Sequence, residues 1–312
     1  MVFMEYSPKI KQSFSGMWNN KSLWSVLILE LILTTILGIL FFLGDTAVVA
    51  YLNSDVLQGG LTGFDWTLLL NAKTIVTTVF LLVLQFFIFV YVDSFFKSGF
   101  YGMIKNYVKD GSTTFKEFIP EAKRFWHPMF RLLLIRFVIF AVFGIPFMLA
   151  LFSILGTTPQ FIDSSQIILF AVTALVFAIV ALLVFFWFLY SEAYVVFDDM
   201  GAWESIKASA RLANQNKGTS IVVILLAILF LLGAGIISGL LVLPLDLAVK
   251  ATQSTGLAIT RDVINFLLNI ISLVATVVVS ILVFLVYSEL TTIKAARTTP
   301  VSRSKTVIKK KR

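Results

Sequence analysis

Six long apolar runs, rather than any catalytic motif, constrain what this chain can become. They cover about Ser22–Leu43, Thr74–Phe96, Met129–Leu151, Ile167–Tyr190, Ser220–Leu243 and Val263–Tyr287. Crossing a bilayer takes about 20 predominantly apolar residues at about 1.5 Å each. In lipid, only helices and closed barrels satisfy every backbone polar group. The runs are continuous rather than alternating, so an all-α polytopic membrane protein with six transmembrane helices is expected. Composition agrees: 59% of the 312 residues are apolar and 13% are charged, against about 45–50% and about 25% in a soluble domain. The start, Met1 to Lys9, has no adjacent apolar segment of signal-peptide length, so the first run is expected to remain as a span.

Basic residues orient the spans. The connections after spans one, three and five hold three of them, Lys73, Lys250 and Arg261, whereas the opposite side holds 20. By the positive-inside rule both termini are expected in the cytoplasm of a multi-pass cell-membrane protein. The net charge of +8 is largely this signal. Lys305 to Arg312 are rich in lysine; such a tail is either a solvated topology determinant or a ligand for anionic headgroups. Nucleic acid is not expected as a partner, because no aromatic-interleaved basic fold accompanies the charge.

An internal repeat organises the chain. Spans two, four and six end alike, at Tyr91-Val92-Asp93, Tyr190-Ser191-Glu192 and Tyr287-Ser288-Glu289. Each odd span follows a short amphipathic segment, so three copies of one unit are expected: interfacial helix, span out, outer loop, span back. The boundaries are an N-terminal cytoplasmic interfacial helix at 1–21, a first two-span repeat at 22–96, and a second with its interfacial helix at 97–190. The third with its helix covers 191–290, and a basic, disordered cytoplasmic tail covers 291–312. Local signals place the interfacial helices. Ser7-Pro8 is a cap followed by proline, with Ile10, Phe14 and Met17 on one face. Thr114 and Glu117 have capping-box spacing. Asp199 precedes a helix with Trp203, Ile206 and Ala210 on one side.

The stretch Phe197-Asp198-Asp199-Met200-Gly201-Ala202-Trp203-Glu204-Ser205-Ile206-Lys207-Ala208-Ser209-Ala210-Arg211-Leu212, continuing through Asn214-Gln215-Asn216-Lys217 into an apolar helix, resembles the membrane-domain family named after glycerophosphoryl diester phosphodiesterases. Gly102-Met103-Ile104-Lys105 to Asp110-Gly111, then Phe115 to Phe118, fits the same pattern. The resemblance is to stand-alone archaeal and bacterial members and implies a six-span membrane domain. It does not imply phosphodiesterase activity, which in that family belongs to a separate soluble barrel with paired histidines and metal-binding carboxylates.

Little chemistry is available to an enzyme here. There is no cysteine, and His127 is the single histidine, so thiolate chemistry and multi-histidine metal sites are excluded. No catalytic residue, cofactor or metal ligand set is assigned; Asp198-Asp199 alone is half a metal site and reads more simply as a helix cap. Two ionisable groups lie inside spans, where each costs about 2.5–3.5 kcal/mol on insertion scales. Glu30 in span one and Arg136 in span three fall at equivalent repeat positions. Three readings attach to them: a buried ion pair, an anion or proton site at Arg136, and snorkelling to the interface. A second constellation is Asp93, Glu192 and Glu289, one acid per repeat, which either converge on a cation or pair locally with Lys97, Lys294 and Arg211. A carboxylate at a helix C-terminus is disfavoured by the dipole, so a partner is expected. Gly235 and Gly239 form a GxxxG for close helix packing, within the chain or in a homo-oligomer. The expected function is a non-enzymatic membrane scaffold binding lipid or a partner protein. The alternative is a transporter or channel for a small or lipidic solute, using Glu30, Arg136 and the three acids.

Overall fold

A computed structural model describes residues 5–52, 72–155, 164–252 and 255–298. Within them the helices are α1 (Tyr6–Asn19), α2 (Lys21–Leu52), α3 (Ala72–Asp110), α4 (Phe118–Leu155), α5 (Ser164–Phe188), α6 (Ser191–Phe197), α7 (Ala202–Gln215), α8 (Lys217–Thr252) and α9 (Thr255–Thr298). A 3-10 turn, Phe115–Glu117, leads into α4. Six stretches are long and apolar enough to cross a membrane: α2, α3, α4, α5 with α6, α8, and α9. The protein is an all-helical, multi-pass membrane protein. The connections at 53–71, 156–163 and 253–254, and the lysine-rich end at 299–312, lie outside the described residues.

Several helices outrun the apolar runs that nucleate them. At 1.5 Å per residue the 39 residues of α3 reach about 58 Å, roughly twice the hydrocarbon thickness. The charges that end the apolar run, Lys97 onward, do not end the helix, because lysine is a good helix former and the continuation is packed. Ser94, Ser98, Met103 and Ile104 are buried there. A Cβ on Gly99 would sit 2.4 Å from the Phe118 ring, and one on Gly102 the same distance from Glu121 Cβ. These glycines let α3 and α4 approach closely. α9 likewise continues to Thr298, beyond the expected boundary at 290.

The core lies at one end, the end that carries α1, α6 and α7 and is termed the inner end. Leu23, Val26 and Leu27 of α2 are buried, with Phe96 and Phe100 of α3, Phe125, Met129 and Leu132 of α4, Phe188 of α5, and Ile281 to Tyr287 of α9. Toward the other end the hairpins α2–α3, α4–α5 and α8–α9 present apolar residues outward: Leu40, Phe42, Phe80, Leu149, Ile168, Leu229 and Leu240 are all exposed. Each interfacial element packs on a returning span: α1 on α9, the 3-10 turn and the start of α4 on α3, and α7 on α5.

Helix starts and faces differ in detail from the sequence expectation. α1 begins at Tyr6, so Ser7 is inside the helix rather than its cap. Its buried stripe is Ser13, Gly16 and Met17, while Phe14 lies outward against Phe230 of α8. α7 is preceded by Gly201 at the cap position, not Asp199. Ser205, Ile206, Ser209 and Leu212 of α7 face the core, whereas Trp203 is exposed. Small polar residues do not register in an apolar pattern, yet they let these helices sit close to the spans. Thr114 and Glu117 do meet, the threonine hydroxyl donating to the carboxylate at 2.9 Å.

Candidate functional site: the intramembrane charges

Arg136 projects from the early turns of the apolar part of α4 and donates to Glu192 Oε1 at 2.6 Å. Its guanidinium also lies 3.5 Å from Ser191 Oγ and stacks over the Phe188 ring at 5.2 Å. The expected pairing of Glu30 with Arg136 is therefore not what the protein builds. Repeat alignment gave the two residues equal depth, but depth does not set azimuth, and the α5–α6 junction brings another acid closer. Glu30 instead lies within electrostatic reach of Asp93 and Lys97 on α3, and no ion pair within 4 Å is formed by it among the described residues.

The junction explains why Glu192 is available. The helix breaks between Phe188 and Ser191, freeing the Tyr190 N–H, which donates to the buried Ser209 hydroxyl of α7 at 3.0 Å. Glu192 then falls in the first turn of α6, where the helix dipole favours a carboxylate. The expectation of three acids at helix C-termini is thus corrected for each. Glu192 starts a helix, and Asp93 and Glu289 lie well inside α3 and α9.

Asp93 pairs with Lys97 at 2.8 Å along its own helix, as one of the sequence readings had it. Glu192 takes Arg136 rather than Arg211. Glu289 pairs with Lys9 of α1; the side chain of Lys294 lies outside the described residues. Asp93, Glu192 and Arg136 all fall within electrostatic reach of the half-buried Tyr101, so α3, α4 and α6 contribute to one polar patch. Glu289 belongs to a separate contact that ties α1 to α9. Among the described residues no group of three His, Asp or Glu side chains is placed to hold a metal ion. The Arg136 Nε is buried without a hydrogen-bond partner among the described residues.

Asp198 and Asp199 diverge. Asp198 accepts the Tyr287 hydroxyl at 2.7 Å, whereas Asp199, in the left-handed region at φ 54°, pairs with Arg124. The two carboxylates staple the α6–α7 turn to α9 and α4. Gly235 and Gly239 pack on nothing among the described residues: a Cβ on either would meet no described atom within 4 Å. The glycines that carry close packing are Gly16, Gly99 and Gly102, and sequence reasoning missed them because they stand near charged residues. Gly16 faces the Tyr107 ring, 2.5 Å from where its Cβ would lie.

A protein-family model matches residues 47–292, from late α2 to α9, which is most of the chain. The chain belongs to this family, described as a domain of unknown function (DUF7847). Asp93, Arg136, Glu192 and Glu289 lie within the DUF7847 match, and α1 and Glu30 precede it. No curated protein and no solved structure matches the chain.

Proposed function

We propose that this DUF7847 member is a non-enzymatic membrane scaffold that binds lipid or a partner protein through the outward-facing halves of its hairpins. The observation that carries the proposal is the uneven core: burial is concentrated at the inner end, while long apolar faces of α2, α4, α5 and α8 stay open. Exposed apolar area of this extent marks a lipid- or protein-facing surface. Four charge pairs at the inner end serve structure: Lys9–Glu289, Asp93–Lys97, Arg136–Glu192 and Arg124–Asp199 are each internally paired.

The proposal includes an inner end in the cytoplasm of the cell membrane, from the 20-to-three bias of basic residues. It includes three two-helix repeats, supported by the recurring docking of interfacial elements on returning spans. Kinship with the glycerophosphoryl diester phosphodiesterase membrane-domain family rests on the Asp-Asp turn, the α7 segment and the Asn216 junction into α8. The test is photo-crosslinking from benzophenone side chains at Leu149, Leu229 and Leu240, with Ile281 as a buried control. Discrete lipid or protein adducts at the outer positions and none at Ile281 are expected; adducts equal at all four positions, or at none, overturn the proposal.

One observation favours the transport alternative. Glu30 has no ion pair among the described residues, and Arg136 keeps an unpartnered Nε near the same patch. On that reading, Glu30→Gln abolishes solute flux in sealed proteoliposomes.

A further inference from the structure

We propose that the outward face of α4 at the inner end is a docking surface for the phosphate of an acidic phospholipid. This deepens the scaffold reading by naming a lipid class and a site for it. The inference starts from the azimuth of α4. Its core stripe is Phe118, Ala122, Phe125, Met129 and Leu132, all buried. On the opposite side, at helical spacing, Lys123, Arg124, His127 and Arg131 are exposed. Arg131 makes no ion pair or hydrogen bond among the described residues. Arg124 is held by Asp199, the acid that faces this stripe, so Lys123 and Arg131 supply the uncompensated charge.

Depth places the stripe at headgroup level. Trp126, beside His127, packs against Tyr91 with ring centroids 4.2 Å apart and planes tilted by 50°, and donates its indole N–H to the Tyr91 carbonyl at 3.0 Å. Trp and Tyr pairs of this kind sit at the membrane–water boundary. Arg131 lies one turn further toward the bilayer than His127, and the next outward residue on the same side, Val138, is 57% exposed and apolar. An arginine there extends its stem along the apolar surface and lifts its guanidinium to the phosphate layer, where the fork can take two oxygens of one phosphodiester. The imidazole N–H of His127 is a second donor at the same level. Continuity of the charge with a lipid-exposed apolar face selects a lipid rather than a free anion as occupant.

The delipidated full-length chain is titrated with phosphatidylglycerol and, separately, phosphatidylcholine, and lipid adducts are counted by native mass spectrometry. A basic residue near the surface contributes about fivefold to acidic-lipid affinity. Wild type is expected to bind the first phosphatidylglycerol at least about fivefold more tightly than phosphatidylcholine. Arg131→Gln with His127→Gln is expected to lose that preference, and Arg131→Lys to keep most of it. Lys207→Gln with Arg211→Gln, basic positions on α7, is expected to leave it unchanged. Preference retained by Arg131→Gln/His127→Gln overturns the proposal, as does equal loss in the α7 variant or displacement of the lipid by inorganic phosphate at matched concentration. If the double variant does not melt like wild type, Arg131→Glu decides: reversed charge must abolish or invert the preference. Crosslinking from the outer halves is unaffected by these variants, so this site and the scaffold reading fail separately.

Discussion

Arg136 of α4 and Glu192 of α6 form a 2.6 Å ion pair inside the helical bundle, with side chains 28% and 14% exposed. It joins the second hairpin to the junction helix, and its energetic importance follows from its surroundings. Removing one partner of a largely buried pair strands the other charge, at a cost on the order of 3 kcal/mol. Arg136→Leu is therefore expected to lower stability in detergent by about that amount, and Glu192→Gln added to it to recover part of the loss. Glu30→Gln added to Arg136→Leu is expected to recover nothing. Rescue by Glu30→Gln in a double-mutant cycle would show that the pairing is drawn wrongly.

The two sets of glycines separate cleanly by experiment. Alanine at Gly99 or Gly102 collides with Phe118 or Glu121, and overpacking of this kind costs about 1–3 kcal/mol. Alanine at Gly235 or Gly239 meets nothing among the described residues and gains helix propensity of about 1 kcal/mol. Thermal melts are expected to fall for the first pair and to hold or rise for the second. Equal losses would place an unseen contact on the GxxxG face.

Ser209 is buried and accepts the Tyr190 N–H at the break between α5 and α6. Ser209→Ala leaves that N–H buried without an acceptor, a penalty of about 1–3 kcal/mol. Ser205→Ala, whose hydroxyl donates only to the Ala202 carbonyl one turn back, is expected to cost much less. Comparing the two by denaturant titration in micelles isolates the junction bond from the loss of a buried hydroxyl.

Because the chain has no cysteine, single introduced cysteines report topology directly. Ser15→Cys and Lys207→Cys are expected to react with a membrane-impermeant maleimide only after the cytoplasmic side is opened. Thr252→Cys is expected to react from outside. Labelling of all three from the same side contradicts the six-span topology.

The membrane fold is legible in the sequence because burial in lipid demands long apolar runs, and no tertiary detail can hide them. The same runs mark Glu30 and Arg136 as intramembrane charges from their place in the sequence. What escaped is azimuth. Which acid meets Arg136 depends on the α5–α6 break at Tyr190, and the signal for that break is a serine 19 residues later in another helix. Azimuth also separates Phe14 and Trp203 from the residues grouped with them on one face, because the packed stripes run through Ser13, Gly16 and Met17 and through Ser205, Ile206 and Ser209. Close packing in lipid selects small residues, so an apolar template does not by itself mark the packed stripe of such a helix.

The scaffold account is tested most directly by native mass spectrometry of the full chain extracted in its own membrane lipids, paired with solute flux in sealed proteoliposomes. The account predicts a chain carrying bound lipid or a stoichiometric partner subunit, with no Glu30-dependent flux. A bare chain that moves a solute, and stops doing so with Glu30→Gln, would contradict it.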